Sequence, residues 1–405
     1  MAEQVPLAKI AETFGTPCYI YSRAAIEEQW RAYDQAFGAR SHLVCYSVKA
    51  NGNLAVLNVL ARLGSGFDIV SGGELERVLM AGGDAARVVF SGVGKQGHEI
   101  RRALDAGIRC FNVESAAELF HLDRIAKEMN TRARVALRIN PDIDPGTHPY
   151  IATGLNRSKF GIPHEQALDI FRQAQDLNHI ELAGIDCHIG SQITQLSPYI
   201  AALEKLTGLY HKLKSEGIPL GHIDIGGGMG IMYRDEQPFA PLEFVRAVCE
   251  QLSDPHMEIL IEPGRSIVGE AGVLLTRVLY LKETASRNFA ITDAAMNDLL
   301  RPALYDAWQR VLPENDAITH SPKRYDLVGP VCESADFLAL DRELDIAEGD
   351  LLALGSAGAY GFSMSSNYNA RPRAAEVMVD GEDFFEVRRR ETIDDLVSGE
   401  SLLPR

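Results

Sequence analysis

Short apolar runs rich in β-branched residues recur along the first two thirds of the chain, and amphipathic stretches separate them. Such runs, bounded by polar turns, are typical of buried strands, and the stretches between them have the spacing of helices. Alternating strands and helices predict a parallel sheet, and eight repeats predict an α/β fold with a (β/α)8 (TIM) barrel over residues 27–268. The predicted strands cover residues 43–48, 67–70, 88–90, 110–113, 135–139, 184–189, 222–225 and 259–261.

The pattern changes after residue 270, where strand-like runs follow one another with Gly, Pro and Asp turns and few helical periods. This spacing predicts a second, antiparallel β domain, built as a sandwich or a barrel. Residues 18–21 also have the composition of a strand, so we assign residues 1–26 to this domain together with residues 269–405. Its later predicted strands cover residues 273–281, 289–292, 324–328, 351–354 and 376–379.

Composition narrows the classes of function. The chain has 405 residues, with 40 Lys and Arg against 56 Asp and Glu, a formal net charge of −16. Nucleic-acid binding depends on a surplus of positive charge, so we do not expect it. The N-terminus has no basic start followed by an apolar core, and no apolar run approaches the ~18 residues of a membrane span. We therefore expect a cytoplasmic protein without a membrane partner.

The six cysteines are scattered along the chain without a Cys-x-x-Cys pair. Their spacing argues against both a disulfide framework and a structural zinc site, so no metal is expected. Five of them stand in apolar surroundings that favour buried thiols, and Cys332 does not.

Reactive residues stand at the ends of several predicted barrel strands. Active sites of such barrels lie at the carboxyl ends of the strands, and the loops after strands seven and eight commonly bind phosphate. Glycine-bearing turns fall at both places, at residues 226–228 and 262–265. The other polar residues at strand ends are Lys49 after strand one, Asp68 in strand two, and His188 and Ser191 at strand six.

Each of these residues also has a purely structural interpretation. Lys49 is either a partly desolvated amine suited to a Schiff base or a surface lysine after a strand. The glycine run either presents N–H groups to an anion or forms a flexible turn, and His188 is either functional or a core histidine. Glu262 ends an apolar strand and needs a cationic partner, either a protonated ring nitrogen or a nearby Arg or Lys. On one barrel rim, the four features together fit pyridoxal 5′-phosphate.

Eight sequence blocks resemble the fold type III, or alanine-racemase-like, family of pyridoxal-phosphate enzymes, and the resemblance covers nearly the whole chain. The lysine and glutamate blocks indicate the superfamily, whereas RPALY and CES point to its diaminopimelate-decarboxylating branch. One departure is Ala295, where that branch usually has glycine, and no role depends on it. The blocks are YSVKAN (46–51), SKFG (158–161), HIGSQ (188–192), GGG (226–228), EPGR (262–265), MNDLLRPALY (296–305), CESAD (332–336) and GAYG (358–361).

The resemblance implies a role for each matching residue. Lys49 would form the Schiff base, His188 would stack on the cofactor ring and Glu262 would pair with the ring nitrogen. The implied catalytic residues are Lys49, His188, Glu262 and Cys332, the last as a proton donor. The implied cofactor-binding residues are Lys49, Asp68, His188, Ser191, Gly226, Gly227, Gly228, Glu262, Gly264, Arg265 and Tyr360. The implied substrate-binding residues are Arg265, Arg301, Tyr305, Glu333 and Tyr360.

The implied reaction is decarboxylation of meso-2,6-diaminopimelate to L-lysine and CO2, the last step of lysine biosynthesis by the diaminopimelate route. This small-molecule substrate has an amino-acid group at each end, so Arg301 can grip the distal carboxylate and Glu333 can accept from the distal ammonium. The family forms an obligate homodimer with active sites at the interface, where Cys332 and Glu333 reach across from the partner subunit. Residues 142–156 are a candidate for the loop that closes over the substrate.

Other functions remain open. A related decarboxylase could act on another basic amino acid or a carboxylated polyamine precursor, although Arg301 would repel a distal amine. An amino-acid racemase would have little use for residues that bind the second end of the substrate. A non-catalytic cofactor carrier or a regulatory relative would need neither Cys332 nor the block around Arg301.

Overall fold

The computed structural model describes residues 1–147, 151, 153–155, 158–314 and 321–404. The chain divides into two compact units. The barrel unit comprises Glu27–Met232 and Glu236–Ile267, and the β unit comprises Met1–Ile26, Tyr233–Asp235 and Val268–Arg405. Several residues of the candidate closing loop, residues 142–156, lie outside the described residues.

Strands and helices alternate through the barrel unit, whereas strands dominate the β unit. The strands are β1 (Cys18–Ser22), β2 (His42–Ser47), β3 (Gly66–Ile69), β4 (Val88–Phe90), β5 (Cys110–Val113), β6 (Ala133–Asn140), β7 (Ile162–Pro163), β8 (Ile180–Asp186), β9 (His222–Asp224), β10 (Glu258–Ile261), β11 (Gly272–Glu283), β12 (Asn288–Thr292), β13 (Val311–Pro313), β14 (Lys323–Val328), β15 (Phe337–Leu344), β16 (Leu351–Leu354), β17 (Ala375–Asp380) and β18 (Asp383–Arg388). The helices are α1 (Leu7–Phe14), α2 (Arg23–Ala36), α3 (Leu54–Arg62), α4 (Gly72–Met80), α5 (Gly97–Ala106), α6 (Ala116–Glu128), α7 (His164–Gln175), α8 (Ser197–Ser215), α9 (Pro241–Gln251), α10 (Arg265–Val268), α11 (Arg301–Tyr305) and α12 (Ile393–Val397). Within the described residues, no helix combines the length and the apolar character that a membrane span requires.

Parallel strands of the barrel unit close into a ring. Their order is β2, β3, β4, β5, β6, β8, β9 and β10, and β10 pairs with β2 to complete the circle. Every neighbouring pair in the ring is parallel. The predicted eight-stranded α/β barrel is therefore confirmed, and the short strand β7 is added beside β6.

Polar residues at the ends of strand–helix loops begin several barrel helices. Asn53 precedes α3, and its side-chain oxygen accepts a backbone N–H of the first helical turn. Ser71 and Ser115 make the equivalent bond at the starts of α4 and α6. These bonds satisfy N–H groups that a helix leaves without intrahelical partners, so they define where each helix begins after its strand.

The barrel interior changes from apolar to polar within two residues along five of its strands. A buried apolar cluster includes Cys45, Val89, Cys110, Ala136 and Leu260. Side chains two positions apart on a strand lie on the same face, so the next interior layer toward the carboxyl ends is polar. That layer contains the buried residues Ser47, Ser91, Asn112, Arg138 and Glu262. The barrel thus presents a buried polar end where such folds carry their sites.

A mixed sheet forms the β unit. Its strands follow the order β15, β14, β12, β11, β1, β17 and β18, and β16 pairs with both β11 and β13. Strand β1 is parallel to β17 and β12 is parallel to β14, while the remaining pairs are antiparallel.

The second β domain is therefore confirmed, but its sheet is mixed rather than antiparallel. Parallel neighbours require long crossover connections. The whole barrel separates β1 from β17, and a segment with α11 and β13 separates β12 from β14. A pattern of strands and tight turns along the chain does not reveal such pairings.

Some elements differ from the hydrophobic pattern. Strands β13, β15 and β18 were not predicted, and β15 and β18 are the two ends of the sheet path. Edge strands often carry charged side chains, as DREL and DFFEVR do here, and this weakens the apolar signal. The strand predicted over residues 184–189 runs from Ile180 to Asp186, so His188 lies in the loop that follows.

Candidate active site

Lys49 lies directly after β2, within a short 3-10 turn. Its Nζ is 2.6 Å from Oδ2 of Asp68 in β3, and the Ser47 hydroxyl donates to the same oxygen at 2.8 Å. The Asp68 side chain is fully buried, whereas that of Lys49 is 33% exposed. The sequence favours a partly desolvated amine at this position, whereas the structure has an ion pair between Lys49 and Asp68. Asp68 thus holds the lysine at the carboxyl end of the barrel.

The glycine run after β9 packs tightly against the segments that follow β10 and β8. A Cβ atom at Gly227 would lie 2.0 Å from the carbonyl oxygen of Glu262, and one at Gly228 would lie 2.0 Å from that of Gly190. Gly226 and Gly228 also have positive φ angles, of 69° and 97°. The run is therefore a closely packed turn whose conformation requires glycine, rather than a flexible loop.

His188 lies beside this turn with a defined tautomer. The backbone N–H of Gly227 donates to its Nδ1 at 3.1 Å. Burial, aided by the positive charges of Arg138 and Lys49, lowers the pKa of His188 well below its usual value. The imidazole is therefore neutral, with Nδ1 as the acceptor.

Two residues expected to hold a phosphate are in direct contact. Arg265 begins α10, and its Nη2 donates to the Ser191 hydroxyl oxygen at 3.0 Å. Gly264 brings the backbone close to β2, since a Cβ atom there would lie 2.9 Å from Cβ of Ser47. A buried guanidinium beside a hydroxyl can donate two hydrogen bonds to one phosphate group. This part of the rim therefore suits an anion.

Three buried carboxyl groups meet at the polar end of the barrel. One oxygen from each of Asp186, Asp224 and Glu262 lies within 4.8 Å of the others. Burial, followed by the negative charge of Asp224, raises the pKa values of Asp186 and Glu262 well above those of ordinary carboxyl groups. Each of these groups therefore favours its protonated form more than an exposed carboxyl group does.

The contacts of Glu262 are with neutral or acidic groups. Its Oε1 is 3.4 Å from Nδ2 of Asn112 and 3.5 Å from the Ser91 hydroxyl. Among the described residues no Arg or Lys forms an ion pair with it, because Arg138 pairs instead with Glu114 at 3.0 Å. Among the described residues, Glu262 therefore does not have the Arg or Lys partner that its structural interpretation requires.

Several interior polar residues of this site were not predicted from the sequence. They are Ser91, Asn112, Glu114, Arg138, Asp186 and Asp224. A signal for two of them was present, because residues 67–69, 185–187 and 223–225 all place one Asp between apolar residues inside a strand. The repeated pattern places one buried Asp on or beside each of three barrel strands.

In the β unit, Arg301 is held by its neighbours. It begins α11 and is buried, and its guanidinium carbon lies 4.7 Å from the ring centre of Tyr233. Nη1 donates to the side-chain oxygen of Gln309 at 3.3 Å in the amide orientation that satisfies both ends of that side chain. Cation–π stacking fixes the plane of the guanidinium, and two-pronged binding of a carboxylate requires such a fixed plane.

Cys332 and Glu333 lie together on an exposed turn of the β unit. The backbone N–H of Cys332 donates to Oδ1 of Asn369 at 2.9 Å, and the Tyr368 hydroxyl donates to Oε1 of Glu333 at 2.5 Å. The Cys332 thiol is free of any disulfide. Tyr360 is partly buried with a positive φ angle of 55°. The β unit thus presents a thiol and a carboxylate outward.

The structure therefore divides the expected residues between the two units. The barrel unit brings together Lys49, Asp68, His188, Ser191, Gly226, Gly227, Gly228, Glu262, Gly264 and Arg265. The β unit contains Arg301, Tyr305, Cys332, Glu333 and Tyr360. Their individual roles stay predictions.

Comparison with known families identifies the class. Residues 23–269 match the family described as "Pyridoxal-dependent decarboxylase, pyridoxal binding domain". A parallel barrel with a lysine, a neutral histidine and a buried glutamate at its carboxyl end, matched over that length, defines a pyridoxal-phosphate-dependent decarboxylase.

Full-length relatives narrow the class further. The chain is 61% identical to the diaminopimelate decarboxylase of Pseudomonas aeruginosa, with 100% of this chain and 97% of the relative covered. It is 56% identical to that of Vibrio cholerae, with 100% and 97% covered. The Helicobacter pylori diaminopimelate decarboxylase complexed with L-lysine has a TM-score of 0.94 at 41% identity, covering 97% of this chain and 98% of that chain. The chain belongs to the diaminopimelate decarboxylase family.

A more distant structure gives the contrast. The lysine/ornithine decarboxylase of Vibrio vulnificus complexed with putrescine has a TM-score of 0.82 at 25% identity, covering 94% of this chain and 99% of that chain. The fold is thus shared with decarboxylases of other substrates, so fold alone does not select the substrate.

Proposed function

We propose that this chain decarboxylates meso-2,6-diaminopimelate to L-lysine and CO2, with pyridoxal 5′-phosphate held at the carboxyl ends of the barrel strands. In the family to which the chain belongs, this reaction is the final step of lysine biosynthesis. One observation carries the proposal. A single chain combines Lys49 and Glu262 on the barrel with Arg301 and Glu333 in the β unit, at 61% identity to a diaminopimelate decarboxylase.

The barrel residues fit the cofactor chemically. A buried Glu262 with neutral and acidic contacts is suited to a protonated ring nitrogen. Arg265 and Ser191, already in contact, are suited to the phosphate. The residues that would hold the cofactor are Lys49, Asp68, His188, Ser191, Gly226, Gly227, Gly228, Glu262, Gly264, Arg265 and Tyr360.

Within the glycine run, the backbone donors are not equivalent. The N–H of Gly226 donates to Oδ1 of Asp224 at 2.9 Å, and that of Gly227 donates to His188. Gly226 and Gly227 therefore shape the turn, and the direct phosphate contact proposed for the run falls to the N–H of Gly228.

When bound, pyridoxal phosphate supplies a protonated ring that accepts the electron pair left on Cα as CO2 departs. Glu262 keeps a proton on the ring nitrogen, since an opposite charge within ~4–6 Å typically shifts a pKa by about 1–3 units. His188 would pack against the ring as a neutral imidazole and would add no positive charge there. Cys332 donates a proton to Cα after CO2 has left.

The distal end of the substrate selects it from related amino acids. Arg301, with its guanidinium plane fixed by Tyr233, binds the distal carboxylate, and Glu333 accepts from the distal ammonium. Tyr305, Arg265 and Tyr360 complete the substrate contacts. A substrate with only an amine at that end would meet the Arg301 charge and be repelled.

We also propose a cytoplasmic homodimer in which Cys332 and Glu333 complete the site of the partner subunit. The exposure of both residues in the β unit supports this arrangement. Small-molecule substrate and cofactor are the partners expected besides the second subunit.

A substrate panel tests the function. The purified chain, loaded with pyridoxal phosphate, should release CO2 and form L-lysine from meso-2,6-diaminopimelate, and should act poorly on ornithine, arginine and lysine. Release of CO2 from ornithine or arginine but not from the meso substrate would establish the rival decarboxylase. Inversion of an amino acid without CO2 release would indicate a racemase.

A further inference from the structure

The cluster of Asp186, Asp224 and Glu262, called here the carboxyl cluster, contains more acid groups than the proposed function uses. Glu262 alone pairs with the ring nitrogen, whereas Asp224 accepts only the turn-forming N–H of Gly226 and Asp186 has no assigned part. All three are buried, at 1%, 0% and 3% exposure. Burying an ionised carboxylate without a partner is costly, so the two additional acids need an explanation.

Two carboxyl oxygens of the carboxyl cluster lack a hydrogen-bond donor within the part of the chain that the structure describes. Among the described residues, Oδ1 of Asp186 and Oδ2 of Asp224 receive no hydrogen bond from a donor. One carboxyl oxygen of Asp224 lies within 4.8 Å of one of Glu262. Two carboxyl groups can hydrogen-bond to each other only when one of them carries a proton, because ionised carboxylates are acceptors only.

The nearby cations neutralise the cluster only in part. Arg138 lies 3.0 Å from Glu114 and reaches Asp186 only at 3.8 Å. Lys49 is paired with Asp68 at 2.6 Å. Each cation therefore already has a carboxylate of its own. Three acids therefore lie within 4.8 Å of one another in a buried site that one shared cation reaches, so a proton is the remaining source of neutralising charge.

We propose that the carboxyl cluster stores a proton while the cofactor is absent and passes it to the cofactor's ring nitrogen on binding. This inference rests on the proposed function. One O–H bond of the cluster breaks and one N–H bond forms on the ring lone pair, without oxidation or reduction. The cluster becomes more negative by one charge as the ring becomes more positive by one. An ion pair thus replaces the shared proton, and the protonated ring needs no proton from solvent.

Infrared difference spectroscopy of the full-length protein tests the storage. The cofactor-free wild type in mildly alkaline buffer should show a protonated-carboxyl band that shifts in D2O. Saturation with pyridoxine 5′-phosphate, which has the ring and phosphate but no aldehyde for Lys49, should remove it. Absence of the band before ligand addition, or its persistence after saturation, would overturn the proposal.

Proton counting tests the transfer. In the double variant Asp186→Asn with Asp224→Asn, amide groups can donate to Glu262 and favour its ionised form. Binding of pyridoxine 5′-phosphate should then take up about one proton more than in the wild type. Calorimetry in two buffers of different ionisation enthalpy measures this difference, and the single variant Asp224→Asn serves if the double variant does not fold. Equal uptake by wild type and amide variants would contradict the proposal.

The control is Asp298→Asn, which removes a buried carboxyl of the β unit. The ligand-sensitive band and the proton count should stay as in the wild type.

A divalent metal bound in equimolar amount to the cofactor-free wild type would show that a cation, not a proton, neutralises the cluster. Absence of binding heat would overturn both proposals. Failure to release CO2, with the proton results intact, would count against the proposed function alone.

Discussion

The candidate residues of the barrel unit and of the β unit differ in their exposure. In the barrel, Lys49 is paired with buried Asp68, and buried Arg265 donates to Ser191. In the β unit, Arg301 is similarly fixed by Tyr233, but Cys332 and Glu333 are exposed on a turn. Groups held in place before binding lose less freedom when a ligand arrives. In the proposed dimer, the cofactor end of the site, formed by the barrel residues, would belong to one chain. The substrate end, formed by the residues of the β unit, would be shared by two chains.

Lys49→Ala should produce the largest effect, because it removes the covalent anchor from the organised end. We expect loss of the visible absorption band of the bound cofactor and a fall in CO2 release by more than ~10³-fold. The exposed Lys127→Ala on α6 is the matched control and should keep both. A variant at Lys49 with a normal visible band would show that another amine binds the cofactor.

Glu262→Gln should lower kcat by about 10- to 10³-fold, since it replaces an opposite charge worth ~1–3 pKa units at the ring nitrogen with a neutral amide. Cofactor binding should persist, which separates this effect from that of Lys49. Glu258→Gln, at the other end of β10, is the control and should leave kcat within a factor of about two. Unchanged kcat in Glu262→Gln would mean that the ring nitrogen does not depend on this carboxylate.

Arg301→Lys should raise KM for meso-2,6-diaminopimelate by about 10- to 100-fold, because lysine cannot reproduce a two-pronged bond worth ~1.5–3 kcal/mol. The visible cofactor band should stay unchanged, since this change is in the β unit. Arg310→Lys, an exposed arginine near the end of α11, is the control. Equal KM values in Arg301→Lys and wild type would show that Arg301 does not contribute to substrate binding.

Mixing two inactive variants tests whether the substrate end is shared. If Cys332 serves the partner's site, random dimers of Lys49→Ala and Cys332→Ala should recover about a quarter of wild-type activity, because half the dimers then contain one complete site. Lys49→Ala mixed with Glu262→Gln should gain no comparable complete site, since both residues belong to one barrel. No recovery in the first mixture would place Cys332 in the site of its own chain.

Asp298→Asn should have the smallest effect, on stability alone. Burial raises the pKa of Asp298 to about 7, above the ordinary carboxyl value near ~3.9. A raised folded-state pKa gives stability that is full below the unfolded value and is lost as pH rises through about 7. Because Asn cannot ionise, Tm of the variant relative to wild type should increase by a few degrees from mildly acidic to mildly alkaline buffer. The exposed Asp383→Asn should show no such pH dependence.

Much of the barrel could be predicted from sequence because its strands are buried on both faces. Continuous apolar runs such as residues 88–90 and 110–113 coincide with β4 and β5. The apolar pattern is weaker at the edges of the β unit, where β15 and β18 carry charged residues beside the apolar ones. Parallel partners such as β1 and β17 cannot be read from neighbouring turns.

The candidate site follows the same division. Lys49 and Glu262 stand next to apolar strands at positions that barrel geometry marks as functional. Asp186 and Asp224 are close together because their strands are neighbours in the barrel. Neither sequence segment alone predicts this short distance. The stacking of Tyr233 on Arg301 also joins distant segments, and no local pattern announces it.

The pairing of strand β1 affects how the chain can fold during its synthesis. It pairs with β11 on one side and with β17 on the other, although it is the first strand of the chain. The ribosome must therefore synthesise nearly the whole protein before the second edge of β1 is covered. At ~5–20 residues per second this takes on the order of tens of seconds. The barrel segments emerge earlier and can fold first, while one edge of β1 remains unpaired. A chain released before Ala375 would keep that edge available to other molecules, so premature termination should favour aggregation rather than a working barrel alone.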